Sequence, residues 1–162
     1  TRMRCWHQWL GWWTMSDTHK LNDLLHLAHT RVLTAEELTS LNVLNGGLAE
    51  LIGLQFTHVG PREARAKLQV KPEHHQPWGV ANGGLYCSIA ETVASIASVV
   101  AADAPAVGVH NSSDFIRSTS EGELDAVATP VQLGGRTHLW SVEMRQGGEL
   151  IARTTLRTMI LH

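Results

Sequence analysis

Cysteine, net charge and membrane-length apolar runs are all scarce in this 162-residue chain, and each scarcity closes a class of protein. The two cysteines, Cys5 and Cys87, make no disulfide framework, so a reduced, cytoplasmic setting is the simplest expectation. A net charge of −2 is far from the basic balance of a domain that neutralises a phosphate backbone, which sets nucleic acid aside as a partner. No stretch reads as a membrane span, so no membrane association is expected. Internal repeats and low-complexity tracts are missing too. His74 and His75 are adjacent, point apart in an extended loop and have no acid or cysteine at ligand spacing, so no metal is expected.

What is present suits one domain. Hydrophobic residues make up 43% of the chain, enough to bury a core. Four of the six tryptophans (Trp6, Trp9, Trp12 and Trp13) crowd the first fourteen residues. Helical spacing there would make an amphipathic anchor, but a vector-derived remnant or an upstream extension before Met15 is the plainer reading of residues 1–14. Residues 15–50 read as a helical segment, with a short helix through Leu21, Leu24, Leu25 and Ala28. Thr34-Ala35-Glu36-Glu37 is a capping box that opens a helix ending at Asn45-Gly46-Gly47.

Residues 51–162 read as the main domain. Leu48 to Ile52 is a helical turn, and a strand follows from Leu54 to Val59. Ala64, Ala66, Leu68 and Val70 alternate with Arg65, Lys67 and Gln69 as a second strand. Lys71 to Asn82 is a loop. Gly83 to about Ala102 is a long helix with small residues on every side, which predicts a helix enclosed all round. Four strands follow: Val107–Arg117, Leu124–Val131, His138–Arg145 and Leu150–Ile160, with a hairpin turn at Gln146-Gly147-Gly148. The order predicts an α+β domain in which a curled antiparallel sheet wraps a long central helix.

The most telling stretch is Gln76-Pro77-Trp78-Gly79-Val80-Ala81-Asn82-Gly83-Gly84, followed by Glu91 and Ser95. A Gly-Gly pair opening a helix leaves backbone N–H groups and the positive end of the dipole free for a ligand. Glu91 is the lone charge between Leu85 and Ala102, and a lone acid inside an enclosed helix is costly unless it is used or paired. Together they suggest an oxyanion-binding amide and a catalytic carboxylate.

These residues resemble the hotdog-fold acyl-CoA thioesterases of the 4-hydroxybenzoyl-CoA and phenylacetate-degradation branch, over roughly Leu51 to Leu161. The resemblance implies hydrolysis of an acyl- or aryl-CoA thioester, with CoA as part of the substrate and no retained cofactor. It implies that Gln76 orients the thioester or the attacking water and that the Gly83 amide binds the oxyanion. Glu91 would act as nucleophile or general base, and Ser95 would hold the water. Asn82 stands where the family pattern has histidine; it can hydrogen-bond but cannot titrate near neutral pH, so a supporting role is expected. The strand Val107–Arg117 and the turn from Ser118 resemble the family's pocket and CoA-facing segments. Gly84, Trp78, Phe115, Arg117 and Ser118 are thus substrate-binding candidates. Leu133-Gly134-Gly135-Arg136 resembles a second CoA-facing loop, which adds Gly134, Gly135 and Arg136.

Spacing adds a constraint. Gly83 and Glu91 lie about 12 Å apart along one helix axis, too far for one carbonyl to meet both. Two helices packed antiparallel in a two-fold dimer would bring the Gly83 end of one beside Glu91 of the other. The resemblance extends this to a dimer of dimers. Alternatives remain: a non-catalytic binder of acyl-CoA or another hydrophobic ligand on the same fold, or a hydratase, whose Asp and His pair is not reproduced here.

Overall fold

The computed structural model describes residues 14–161, so the tryptophan-rich start lies outside the described residues. Three helices come first: α1 (Met15–Thr30), α2 (Ala35–Leu44) and α3 (Leu48–Ile52). Strands β1 (Gln55–Gly60) and β2 (Glu63–Val70) precede the long helix α4 (Gly83–Ala102). Then come β3 (Ala106–Phe115), β4 (Gly122–Leu133), β5 (Thr137–Gln146) and β6 (Glu149–Ile160). The six strands form one antiparallel sheet in the order β1-β2-β4-β5-β6-β3, curled around α4.

Local chemistry explains the boundaries. The Thr34–Glu37 box closes reciprocally at the start of α2, as its sequence predicts. A second box, Thr14 with Asp17, starts α1 earlier than the apolar spacing of Leu21 to Ala28 suggests, so that helix gains nearly two turns. Asp103, at φ 48°, ends α4 in the left-handed region that Asn and Asp tolerate best among side-chain-bearing residues. His29 Nδ1 lies 2.8 Å from the Val100 carbonyl, and His26 Nδ1 lies 2.7 Å from Asp103 Oδ1. Two histidines of α1 therefore dock on the carbonyl end of α4. The hairpin between β5 and β6 turns on Gly147 and Gly148, both at positive φ, the pair a two-residue turn of this hand requires.

Small side chains let helix and sheet approach closely. Ala90, Ala94 and Ala97 of α4 are buried, as are Ala64, Ala66, Ala126 and Ala128 of the sheet. Trp140, Val142, Met144 and Leu156 fill the rest of this core. By length and hydropathy α4 could cross a membrane, contrary to the sequence reading, but here it is the central helix that the sheet wraps.

One expectation fails in an informative way. Helix α4 is not enclosed all round within a protomer. Gly84 and Glu91 are exposed, and Cys87, Ser88, Thr92 and Ser95 on the same side are half-buried. Beside them β3 is bare on nearly its whole length and, among the described residues, pairs with β6 alone. The opposite sheet edge is covered. Asn42 of α2 donates to the Phe56 carbonyl (2.9 Å) and accepts from the Phe56 amide (2.7 Å), as a neighbouring strand would. Leu33 donates to the Val59 carbonyl at 3.0 Å.

Candidate active site

The loop before α4 is folded back on itself. His75 pairs with Ala81 as an isolated bridge, and the Gly79 amide closes a turn onto the Gln76 carbonyl at 3.0 Å, with Gly79 at φ 77°. Two bonds tie this loop to the segment after β3: Ala81 N–H to the Thr119 carbonyl (2.8 Å), and a 2.6 Å contact between His75 Nε2 and the Ser120 carbonyl. His74 Nδ1 accepts from the Lys71 amide, so both histidines are engaged in shaping the loop.

Between these segments lies a cleft of about 260 Å³, lined by Gln76, Gly83, Tyr86, Phe115, Arg117 and Ser118 together with Val80, Ala81 and Ile116. Gly83 forms the first residue of α4 at its edge. The Asn82 side chain is the helix cap: its Oδ1 accepts the Gly84 amide at 2.8 Å, a task that asparagine performs without titrating. The Gly83 N–H has no hydrogen-bond partner among the described residues. Phe115 packs onto the Gly83 Cα so closely that an added Cβ would run into its ring. The ring also meets Tyr86 at 5.6 Å between centroids. The Tyr86 hydroxyl is buried without a hydrogen-bond partner among the described residues, and burial raises its pKa, so it remains a protonated donor.

Glu91 stands apart from this cleft. It is exposed rather than buried, which corrects the sequence expectation; the polar face of α4 needs no partner within the protomer because water reaches it. The Ser95 hydroxyl donates to Glu91 Oε1 at 3.0 Å, one helical turn on. Beneath lies Gly108 of β3, where a Cβ would come within 3.0 Å of the same oxygen. Asn111, three residues further along β3, donates to the Cys87 carbonyl at 3.0 Å and fastens the strand to the helix.

The structure thus gathers Gln76, Gly83, Phe115, Arg117 and Ser118 around one cleft and sets Glu91 and Ser95 on a separate patch. Trp78 does not line the cleft; the turn carries it outward, 84% exposed. Gly134, Gly135 and Arg136 also lie outside it, in the turn between β4 and β5. Arg117 is 3.8 Å from Glu149, whereas Arg136 forms no ion pair among the described residues. Sequence reasoning missed Tyr86 and Gly108. Tyr86 is one turn from Gly83, so helical spacing could have found it; nothing local marks Gly108.

A family model for the thioesterase superfamily matches residues 79–152. The Mycobacterium tuberculosis (strain H37Rv) protein Rv1847, which bears an esterase name, is 39% identical over 112 residues, 65% of this chain and 80% of that protein. Its solved structure superposes with a TM-score of 0.70 at 38% identity, covering 70% of this chain and 95% of the other. The 1,4-dihydroxy-2-naphthoyl-CoA hydrolase of Escherichia coli K12 is 28% identical over 134 residues, 81% of this chain and 97% of that enzyme. A solved thioesterase of Haemophilus influenzae, HI1161, gives a TM-score of 0.73 at 26% identity, covering 77% and 90%. The curled six-strand sheet around one helix is the hotdog fold, and the chain belongs to the thioesterase superfamily, as a thioester hydrolase.

Proposed function

We propose that the protein hydrolyses an acyl- or aryl-CoA thioester to free acid and CoA, in a dimer whose two sites each combine the Gly83 amide of one protomer with Glu91 of the other. The observation that carries this reading is a mismatch within one chain. Among the described residues no carboxylate lines the cleft beside the Gly83 amide, and the exposed carboxylate with its serine sits about 12 Å further along the same helix. A second copy, docked antiparallel, supplies each half with the other. The bare edge of β3 and the half-exposed face of α4 are the surfaces such a copy would cover.

In this arrangement the acyl group enters the cleft against Phe115 and Tyr86. The thioester oxygen takes the Gly83 N–H at the positive end of α4. That donor strengthens as the carbonyl becomes an oxyanion, worth on the order of 3 kcal/mol. Glu91 either adds to the carbonyl carbon, expelling CoA thiolate and leaving an anhydride that water cleaves, or takes a proton from a water that adds directly. Both routes end in acid and thiol. The Ser95 hydroxyl holds the carboxylate in place, and Gln76 at the cleft orients the thioester or the water. Arg117, Ser118 and the Gly134–Arg136 turn are the groups available to the CoA phosphates. A reduced, cytoplasmic compartment, where free thiols persist, suits both Cys87 and such a substrate.

The test is thiol release from a panel of acyl-CoAs. Glu91→Gln and Glu91→Ala are expected to lower turnover by at least a hundredfold while light scattering shows the same oligomer. Undiminished turnover in either variant sinks the assignment.

A further inference from the structure

One polar group on the cleft has no task in the hydrolysis. Tyr86 of α4 is 2% exposed, and its hydroxyl has no hydrogen-bond partner among the described residues. Asn45 Nδ2 and Trp140 Nε1 share that condition, but neither residue lines the cleft, whereas Tyr86 does. A hydroxyl out of the reach of water that makes no bond costs stability, and phenylalanine would fill the same place without that cost. Buried polar groups of native proteins nearly all find a partner, so this one calls for a partner that arrives with the ligand.

The helix aims this phenol at the site. Long helical side chains lean back toward the N-terminus, over the turn that precedes their own Cα. Tyr86 follows Gly83 by three positions, so its ring covers the turn that Gly83 opens. Phe115 marks the same placement: the ring that presses on the Gly83 Cα stands 5.6 Å from the Tyr86 ring, tilted by 44°. Exposure then ranks the polar side chains of the cleft by depth. Arg117 and Ser118 are exposed, Gln76 is half-buried and Tyr86 is buried. With the thioester carbonyl held at the edge by the Gly83 amide, the inner hydroxyl meets the part of the acyl group that lies beyond the carbonyl. Val80, Ala81, Phe115 and Ile116 complete the wall and bring no polar side chain to it. Burial pushes the phenol up, so the group stands ready as a donor through the neutral range.

We infer that Tyr86 is a specificity-determining residue: its hydroxyl donates to an oxygen carried on the acyl group beyond the thioester carbonyl, so the cleft selects an oxygen-bearing acyl or aryl ester over the bare hydrocarbon. The inference rests on the acyl-CoA reading above and adds to it the acyl chemistry that the cleft prefers.

Thiol release from matched esters tests it: benzoyl-CoA beside its hydroxy and methoxy derivatives, and hexanoyl-CoA beside 5-oxohexanoyl-CoA, each with wild-type protein and with Tyr86→Phe. In the wild type the best oxygenated ester should exceed its parent in kcat/KM about tenfold, the effect of one buried hydrogen bond. Tyr86→Phe should bring that ratio to within about twofold of unity. Its urea midpoint should not fall below that of the wild type, because the hydroxyl removed bonds nothing in the free protein. A lower midpoint, parent esters preferred throughout, or a ratio that is the same in both proteins would each overturn the inference. If the wild type cleaves none of these esters, the hydrolysis itself is refuted. Calorimetric titration with phenacyl-CoA and its hydroxy derivatives, thioethers with no ester bond to cut, then decides on Tyr86 alone. Tighter binding of a hydroxylated thioether by the wild type and not by Tyr86→Phe supports the role; equal affinities, or no binding, overturn it.

Discussion

Cys87 offers a direct reading of how two protomers meet. It lies midway between Gly83 and Glu91 on α4, half-buried and free. If Gly83 of one helix stands opposite the partner's Glu91, the midpoint must fall on the two-fold axis, and Cys87 faces its own copy. Packed helices have axes about 8–10 Å apart, and each Cα sits about 2.3 Å from its axis. Facing Cα atoms are thus about 3.4–5.4 Å apart, overlapping the roughly 4.4–6.8 Å that a disulfide spans. In a Cys5→Ser background, mild oxidation should therefore convert the protein to a covalent dimer on non-reducing electrophoresis. A cysteine placed at Ser95, with Cys87→Ser, lies about 24 Å along the axis from its copy and should remain uncrosslinked. The reverse pattern, or no crosslink at Cys87 in protein that light scattering shows to be dimeric, refutes the helix register and with it the shared site.

Two further outcomes follow from single contacts. Gly108→Val puts side-chain atoms where Glu91 Oε1 now lies, since even a Cβ would approach to 3.0 Å; kcat should fall at least tenfold with little change in the urea midpoint. Equal loss of activity and stability would mean the glycine serves the strand rather than the carboxylate. The second outcome concerns acid stability. Burial lowers the pKa of His138, so below about pH 6.5 the unfolded chain binds a proton that the folded chain resists. This contribution is complete above that pH and declines as pH falls toward the lowered folded value. His26, raised by its hydrogen bond to Asp103, acts with the opposite sign: its share is present below about pH 6.5 and is lost as pH rises through the raised value. Urea midpoints from pH 8 to pH 5 should therefore show a flatter acid limb in His138→Gln than in wild type. An unchanged slope would place the acid sensitivity elsewhere.

Much of the fold was legible because it is written in short-range patterns. The alternation of Ala64, Ala66, Leu68 and Val70 against Arg65, Lys67 and Gln69 survives in the burial of β2, and the Gly83 to Ala102 helix keeps its bounds. Helix α1 was underestimated because its polar start is held by a cap rather than by apolar spacing. Strand β3 has no alternation to read: it carries a register shift between Gly108 and His110 and buries neither face. At the site, Gln76, Gly83 and Phe115 do share a cleft, whereas Trp78 is carried away by the turn geometry at Gly79. The exposure of Glu91 was invisible for a different reason. An alanine- and serine-rich helix looks the same whether its outer side meets its own sheet or a second chain.

The amide clip of Asn42 on β1 has a consequence for how large an assembly can become. With that margin of the sheet already occupied by a side chain posing as a strand, backbone pairing can extend the sheet only at its other end. Strand pairing between two copies there would use up the open border of each, so the sheet itself could not run on into a fibre.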